Sequence, residues 1–346
     1  MERQSIVPLQ RPSGTADGGT RNSEAYQLYA AALWRSQFLR REDLDRALQL
    51  LHQALALDPN FAMAWVAIAR VHRHGLTIDT RPADVFGPAE AALRRAAALA
   101  PGLAEVLAGR GFTSFLYQFD WSAAERDFRA ALAANPNAAV GHFGLAQLRL
   151  TQGLIAEGVA HLRQALELDP ESPLFNIIAA SYLTDLGHHA EAQRRLNVVF
   201  APSSDAWPTY VVLGKLRLAE GRLDDAIAAL RRATALNNGS SRPQAVLGVQ
   251  LAAVGHADET RQLLAALEAH SRSRFVLPTS IASLHTALGQ VGPALDALEQ
   301  ALAVRDPRVV FLKDDPHWRA LHPEPRFAAL LKQLGLDRFS PGLSQA

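Results

Sequence analysis

The chain has 346 residues and a formal net charge of +1, with 35 basic and 34 acidic side chains and no cysteine. The near-zero charge gives no electrostatic support for nucleic-acid binding, which favours a basic face, and the lack of cysteine excludes disulfides, thiolate metal sites and a cysteine nucleophile. Alanine and leucine are abundant, aromatic residues make up only 7%, and β-branched residues form no alternating runs. This composition favours an all-α fold.

The N-terminal stretch, residues 1–22, is rich in Gly, Ser, Thr, Arg and Gln and shows no hydrophobic periodicity. We expect a disordered tail there. It has no apolar segment of the kind that a secretory signal carries. The sequence also lacks the run of about 18 apolar residues that a membrane span needs. These observations predict a cytoplasmic protein that does not enter a membrane.

A repeat with a period of 34 residues follows the tail, marked by Gly153, Gly187, Gly221, Gly255 and Gly289. Each glycine lies between two segments whose apolar residues recur at helical spacing. Reversing the chain between two helices within about three residues often needs a positive φ, which glycine adopts without steric cost. A small residue follows each glycine at the fifth position, and a leucine follows one helical turn later. One such hairpin cannot bury its apolar stripe alone, so we predict a stack of hairpins.

Counting outward from the glycines gives about eight units in a single array over residues 23–307. The units are 23–60, 61–102, 103–136, 137–170, 171–205, 206–239, 240–273 and 274–307. The second unit is eight residues longer than the period, and we place the insertion in the linker TIDTRPADVFG (77–87) between its two helices.

The end of the chain departs from the repeat in the segment FLKDDPHWRALHPEPRFAALLKQLGL (311–336). Its last helix, predicted from about Pro325 to Leu334, would cover the apolar face of the final hairpin, where a solenoid needs a cap. We therefore assign 308–337 to a capping segment and 338–346 to a second disordered tail.

This pattern resembles the tetratricopeptide repeat (TPR), whose period is 34 residues. Leu213 and Gly214 match the Leu-Gly pair of its first helix, Tyr210 and Phe115 match two aromatic positions of that helix, and Phe128 matches the aromatic position of the second helix. The resemblance implies an all-α α-solenoid of about eight helix hairpins, forming a right-handed superhelix with a C-terminal helical cap.

Three segments sharpen the resemblance: NSEAYQLYAAALW (22–34), QFDWSAAERDFRAALAANPN (118–137) and LKDDPHWRALHPEPRFAALLKQLGL (312–336). They look like the TPR arrays that form the C-terminal half of bacterial signalling proteins. In that subfamily the array is fused to a winged-helix DNA-binding domain, a serine/threonine kinase or a nucleotide cyclase. No such effector domain is recognisable here, so DNA binding and catalysis are not carried over.

The sequence shows no catalytic or metal-binding pattern. It lacks a Gly-rich phosphate loop, an HExxH and a GxSxG motif. His72 and His74 are two residues apart and would point to different sides of a helix, so we interpret them as surface histidines and not as metal ligands. We predict a non-catalytic protein with no cofactor and no metal site.

The concave surface of a TPR superhelix is lined by the first helix of each hairpin, at fixed positions. Carried onto this sequence, those positions hold Phe143, Gln147, Ile177, Ser181, Val211, Lys215, Arg242, Val249, Thr279 and Ser283. Most are apolar or hydroxylic, which argues against the cation-rich clamp that holds a chaperone C-terminus. An amphipathic helix or extended apolar segment fits such a groove, and the N-terminal tail or a second copy of the chain could equally occupy it.

We therefore predict a scaffold that binds a protein or peptide partner in this groove. The alternative is the sensory or regulatory half of a bacterial transcriptional regulator or kinase whose effector domain lies outside this chain. Self-association stays open. An enzyme is the least supported hypothesis, because it would need clustered titratable residues on the first helices.

Overall fold

The computed structural model describes residues 18–200, 206–237, 240–313 and 315–339. Most of the two predicted tails lies outside these residues. In the described ranges the chain forms helices and turns without a strand. The all-α solenoid that the repeat predicts is therefore confirmed.

Eight helix hairpins follow one another in the described part of the chain, and the two helices of each pack side by side. The first four are α1 (Ser23–Ser36) with α2 (Arg41–Leu57), α3 (Ala62–His74) with α4 (Pro82–Leu99), α5 (Ala104–Thr113) with α6 (Trp121–Ala134), and α7 (Ala139–Thr151) with α8 (Ile155–Leu168). The last four are α9 (Pro173–Asp185) with α10 (His189–Phe200), α11 (Trp207–Ala219) with α12 (Leu223–Leu236), α13 (Ser241–Ala253) with α14 (Ala257–Ser271), and α15 (Pro278–Ala287) with α16 (Val291–Ala303).

The core between the hairpins is formed by the small residues and leucines that the repeat places on the second helices. Ala192, Ala226 and Ala294 are completely buried, as are Leu196 and Leu230. The turn glycines Gly153, Gly187, Gly221, Gly255 and Gly289 all have φ between 70° and 91°. Their predicted role in reversing the chain is confirmed.

The insertion of the second hairpin is only partly a linker. A 3-10 turn (Gly75–Ile78) extends α3, and α4 already begins at Pro82. Our placement of all of residues 77–87 in a linker was therefore wrong from Pro82 onward. Proline is well suited to the first position of a helix, where its missing N–H has no intrahelical partner to lose.

The last helix of the chain, which follows α16, preserves the 34-residue spacing of the second helices. Two 3-10 turns (Pro307–Phe311 and Pro316–Leu321) replace a first helix, and α17 (Pro325–Gln333) then packs against α16. The helices α6, α8, α10, α12, α14, α16 and α17 each begin 34 residues after the one before. We refer to residues 306–313 and 315–339 as the C-terminal segment. Its role as a separate capping domain stays a prediction.

The array closes on itself, because the C-terminal segment contacts the third hairpin. Trp121 Nε1 donates a buried hydrogen bond of 2.7 Å to the carbonyl oxygen of Leu334, and the Phe115 and Phe311 rings lie 6.4 Å apart. Arg305 Nη1 also donates to the Tyr117 carbonyl oxygen at 2.9 Å. Residues from α5 to α9 and from α15 onward consequently share one hydrophobic core.

Candidate partner-binding groove

Three of the ten predicted groove residues are buried in packing. Phe143 is 2% exposed, Ile177 7% and Thr279 5%. The Phe143 ring stacks on Phe175 at 4.4 Å, and the Thr279 backbone N–H and Oγ1 both donate to Oδ2 of Asp306, at 3.1 and 2.7 Å. These three side chains stabilise the array and offer little surface to a partner, so their assignment to the groove is corrected.

The other seven predicted residues are half-buried along the first helices. They are Gln147, Ser181, Val211, Lys215, Arg242, Val249 and Ser283. Lys215 Nζ donates to Ser181 Oγ at 3.0 Å and to Asp185 Oδ2 at 2.6 Å. Since Ser181 and Lys215 occupy the same position on α9 and α11, this contact joins neighbouring hairpins into a continuous row.

The C-terminal segment covers this row at the last hairpin. His317 Nε2 lies 2.9 Å from the carbonyl oxygen of Ser283, and Asp306 accepts the hydrogen bonds from Thr279. Burial lowers the pKa of His317, although Asp315 and the Ser283 carbonyl oppose that shift. The chain itself therefore occupies the groove at α15, and the accessible part lies on the earlier hairpins.

Arg70 on α3 stands at the position that corresponds to Gln147, and the sequence analysis missed it. The buried Phe112 and Thr113 of α5 separate it from the row. Counted from the residue before each helix, Gln147 and Arg70 hold the same position. Gln147 lies nine residues beyond Ala138, the N-cap residue of α7, and Arg70 lies nine residues beyond Phe61, the N-cap residue of α3. The fixed 34-residue count passes over Arg70 because the second hairpin is longer than the period. Counting from the start of each helix would have found it.

Arg70 and its neighbour Arg73 on α3 have no counter-ion among the residues that the structure describes. Neither forms an ion pair or a hydrogen bond with any residue that the structure describes, and Arg70 Nε is buried without a partner there. The Arg73 guanidinium lies over the Phe112 ring, 5.2 Å from its centroid. Burial, together with the charge of Arg70, lowers the pKa of Arg73 to about 10.

Arg242 is in a similar environment on α13. Its guanidinium lies 5.4 Å from the centroid of the Trp207 indole ring. Its buried Nε has no hydrogen-bond partner among the described residues. Burial lowers the pKa of Arg242, the nearby charge of Arg308 lowers it further, and Asp306 opposes the shift.

The sequence matches a tetratricopeptide-repeat family model over residues 36–75 and 110–173, and a second model of the same description over 208–239. These matched segments have the pattern of tetratricopeptide repeats. Its structure is similar to a chain of the APC/C hetero-tetramer Cut9-Hcn1, with a TM-score of 0.55 and 17% identity over 90% of this chain and 54% of that one. At that identity the similarity shows a shared solenoid fold.

Two further solved structures align less closely. An IFIT1 monomeric mutant with Gppp-AAAA has a TM-score of 0.49 and 14% identity, over 94% of this chain and 80% of that one. Yeast Tom70 has a TM-score of 0.44 and 15% identity, over 93% and 70%. A search of curated proteins finds no significant match.

One histidine of the helical array differs from its predicted environment. His74 was interpreted as a surface residue, but its Nδ1 is buried without a hydrogen-bond partner in the described structure. Burial lowers its pKa to about 3, and the charges of Arg70 and Arg73 add to the effect. His74 is therefore a half-buried residue whose ring is neutral at physiological pH.

The described residues bring together no group of three or more His, Asp or Glu side chains that could hold a metal ion. In the same part of the chain, none of the helices combines the length and the apolar character required to span a bilayer.

Proposed function

We propose that this protein is a non-catalytic scaffold that binds a protein or peptide partner along the first helices of its TPR hairpins. TPR proteins generally mediate protein–protein interactions, and solenoids present extended binding surfaces because each repeat adds an equivalent helix. The observation that carries the proposal is the row of half-buried side chains on the four consecutive first helices α7, α9, α11 and α13.

The chemistry of the row suits an extended segment. Val211 and Val249 are half-buried and supply apolar contacts, while Gln147 and Ser181 can exchange hydrogen bonds with a backbone. Lys215 is already paired with Asp185. A partner that crosses successive first helices would meet alternating apolar and hydroxyl or amide groups, which is how a groove selects a peptide without a deep pocket.

The test is capture of partners from native cytosol by the full chain and by the double variant Val211→Glu with Val249→Glu. We expect the wild-type protein to retain a partner that the double variant loses, because two carboxylates would have to be desolvated against an apolar segment. Unchanged circular dichroism and thermal unfolding would show that the variant folds.

The matched control is Val198→Glu on α10. Val198 is an exposed valine on a second helix, so this change adds a charge away from the row. Capture of the same proteins by the double variant and by the wild type would contradict the proposal. A cytoplasmic location and a role in bacterial signalling stay predictions from the sequence, and no comparison supports a regulator or kinase half.

A further inference from the structure

We propose that His142 and His161 form a pH-sensitive contact between the two helices of the fourth hairpin. The inference goes beyond the proposed function and needs no bound partner. His142 lies on α7 and His161 on α8, both half-buried, and their Nδ1 atoms are 3.0 Å apart. The ring centroids are 5.3 Å apart, close to the largest separation that this contact allows, so the two nitrogens point at each other.

The position of each proton in the neutral pair follows from the partners of the rings. His142 Nε2 lies 3.1 Å from the carbonyl oxygen of Pro136. A carbonyl oxygen can only accept, so His142 Nε2 carries the proton. A neutral imidazole has one N–H, and the Nδ1 atom of His142 must therefore accept. His161 consequently donates through its Nδ1–H, and its Nε2 atom carries a lone pair.

The fifth hairpin shows which part of this arrangement belongs to the repeat. Asn176 on α9 and Arg195 on α10 are the counterparts of the two histidines, 34 residues later. Asn176 Nδ2 donates to the carbonyl oxygen of Pro170 at 2.8 Å, which repeats the contact with the proline carbonyl. Its Oδ1 atom has no partner among the described residues, and Arg195 pairs with Glu191 of its own helix. The side-chain link between the two helices is therefore a feature that the fourth hairpin has and the fifth lacks.

Acid changes this link in two steps. The first added proton has a vacant site at His161 Nε2, and the resulting cation still donates from Nδ1 to His142. A second proton has only the Nδ1 atom of His142 left to bind. It puts an N–H on both facing nitrogens and a positive charge on both rings. The hydrogen bond is then lost and the rings repel each other, so α7 and α8 separate locally.

The charged groups around the pair are already paired with each other. Arg149 of α7 pairs with Glu125 of α6 at 2.6 Å and with Glu157 of α8 at 3.1 Å. Arg129 of α6 pairs with Glu125 at 2.9 Å. Among the described residues, α5 and α9, which also pack on this hairpin, add no charge that shifts the pKa of His161. Two arginines and two glutamates thus compensate each other and leave no net negative charge to hold a second proton.

These surroundings make the closed hairpin resist protonation. Burial lowers the pKa of His161, and the charges of His142 and of the two arginines lower it further. Glu157 opposes the shift without reversing it. A histidine in an opened hairpin regains a pKa of about 6.5, so the open form binds more protons than the closed one. The link is therefore fully present above pH 6.5, and opening is increasingly favoured as the pH falls below that value.

The first experiment determines the proton positions in the full chain. Proton–nitrogen correlation NMR of protein with labelled histidine rings identifies the protonated nitrogen of each ring at pH 7. We expect Nε2–H in His142 and Nδ1–H in His161, with the signals assigned from the single variants His142→Asn and His161→Gln. An Nε2–H in His161 at this pH would overturn the inference.

The second experiment compares hydrogen exchange of α7 and α8 with that of α9 and α10 at pH 7 and pH 5, after correction for the pH dependence of exchange in unstructured peptides. We expect the protection of α8 in the wild type to fall at least about fivefold more than that of α10, as for the loss of one hydrogen bond, and to return at pH 7. His142→Asn reproduces the first-helix residue of the fifth hairpin and can keep the contact with the proline carbonyl. Its α8 should be less protected at pH 7 and should respond to acid no more than α10.

The matched control is His188→Gln, which changes an exposed histidine in the next hairpin and should keep the wild-type response. The double variant His142→Asn, His161→Arg reproduces both residues of the fifth hairpin and tests the same prediction if the single variant does not fold. Its α8 should also respond to acid no more than α10. Equal acid responses of α8 and α10 in the wild type, or a wild-type response in either of these two variants, would contradict the proposal.

Discussion

At the scale of single residues, glycine permits two kinds of close approach in this array. Gly111 and Gly144 lie on first helices directly against the Phe128 ring, and a methyl group at either position would overlap it. Gly187, Gly221, Gly255 and Gly289 have open space around them and need glycine only for their positive φ. The first kind sets the distance between packed helices, within the third hairpin at Gly111 and between the third and fourth hairpins at Gly144, whereas the second kind sets the turn within a hairpin.

In two hairpins a residue other than glycine occupies the turn position, two residues before the second helix. Leu39 and Phe119 take φ of 56° and 58°, in a left-handed region that costs an L-residue about 1–2 kcal/mol. Phe119 recovers part of this cost because it packs against the shared core and lies under the Arg305 guanidinium, 5.9 Å away. The turn geometry is therefore imposed by the stacking of hairpins even where the local sequence opposes it.

His74 should make the protein sensitive to acid. Its pKa is about 3 when folded and about 6.5 when unfolded, so the unfolded chain binds the extra proton. The contribution of His74 to the free energy of unfolding is fully present above pH 6.5 and is lost as the pH drops toward 3. Between pH 7 and pH 5 the loss from this residue is about 2 kcal/mol. Urea unfolding of the wild type and of His74→Gln at both pH values measures it.

The control for this prediction is His188→Gln, which changes an exposed histidine in the turn before α10. We expect His188→Gln to keep the acid sensitivity of the wild type and His74→Gln to reduce it. Buried acids with a raised pKa, such as Asp79 and Asp306, have the opposite pH dependence. Their contribution to the stability of the protein is lost as the pH rises. An equally steep acid loss in His74→Gln would contradict the assignment to His74.

At the scale of elements, the long second hairpin has a tertiary role. Its 3-10 turn presents the Thr77 carbonyl oxygen to Asn237 Nδ2 and Ser240 Oγ, both at 3.2 Å. Asp79 accepts from the backbone N–H and the hydroxyl of Ser241, at 2.7 and 2.6 Å. The extra residues thus join the second hairpin to the start of α13, about 160 residues later in the chain.

Removing this bridge should destabilise the start of α13. Asp79→Ala leaves the Ser241 N–H without its acceptor and weakens the link to the seventh hairpin, at a cost of about 1–3 kcal/mol. Asp79→Asn keeps one acceptor oxygen and tolerates the left-handed φ of 54° at this position, so its loss should be smaller. Hydrogen exchange of the first turn of α13, together with urea unfolding, compares the two. Equal protection in both variants and the wild type would count against the bridge.

At the scale of the whole molecule, closure distinguishes this array from an open solenoid. The C-terminal segment packs on α16 and also contacts the third hairpin. The ring centroids of Trp121 and Phe339 lie 5.1 Å apart there. An open solenoid has contacts only between neighbouring repeats and unfolds nearly as a sum of them. Here the third hairpin and the end of the chain should unfold together.

Deletion of residues 307–346 tests this coupling. We expect the truncated chain to expose the Phe115 and Trp121 surface, to bind a hydrophobic dye and to unfold at a markedly lower temperature. The third hairpin should lose hydrogen-exchange protection even though it lies far from the deletion in sequence. Deletion of 340–346 alone is the control. Protection of α5 and α6 equal to that of the full chain would show that closure contributes nothing.

The sequence by itself determined the repeat. The turns of the hairpins correspond to glycines 34 residues apart. Their buried stripes correspond to the small residue at the fifth position beyond each glycine and to the leucine one turn later. These features are visible in the sequence because they depend on local backbone conformation and on contacts within one hairpin. The register even extends to α17, which the sequence analysis set apart because a pair of 3-10 turns stands in place of a first helix.

Only the tertiary structure decided which groove positions are free. Phe143, Ile177 and Thr279 follow the repeat pattern as well as Gln147 does, but their neighbours come from other hairpins or from the C-terminal segment. The surroundings of Arg70 and Arg73, the burial of His74 Nδ1 and the closure through Trp121 depend in the same way on residues distant in the chain. A periodic sequence specifies contacts within and between adjacent repeats, whereas burial and charge neutralisation depend on everything that packs around a side chain.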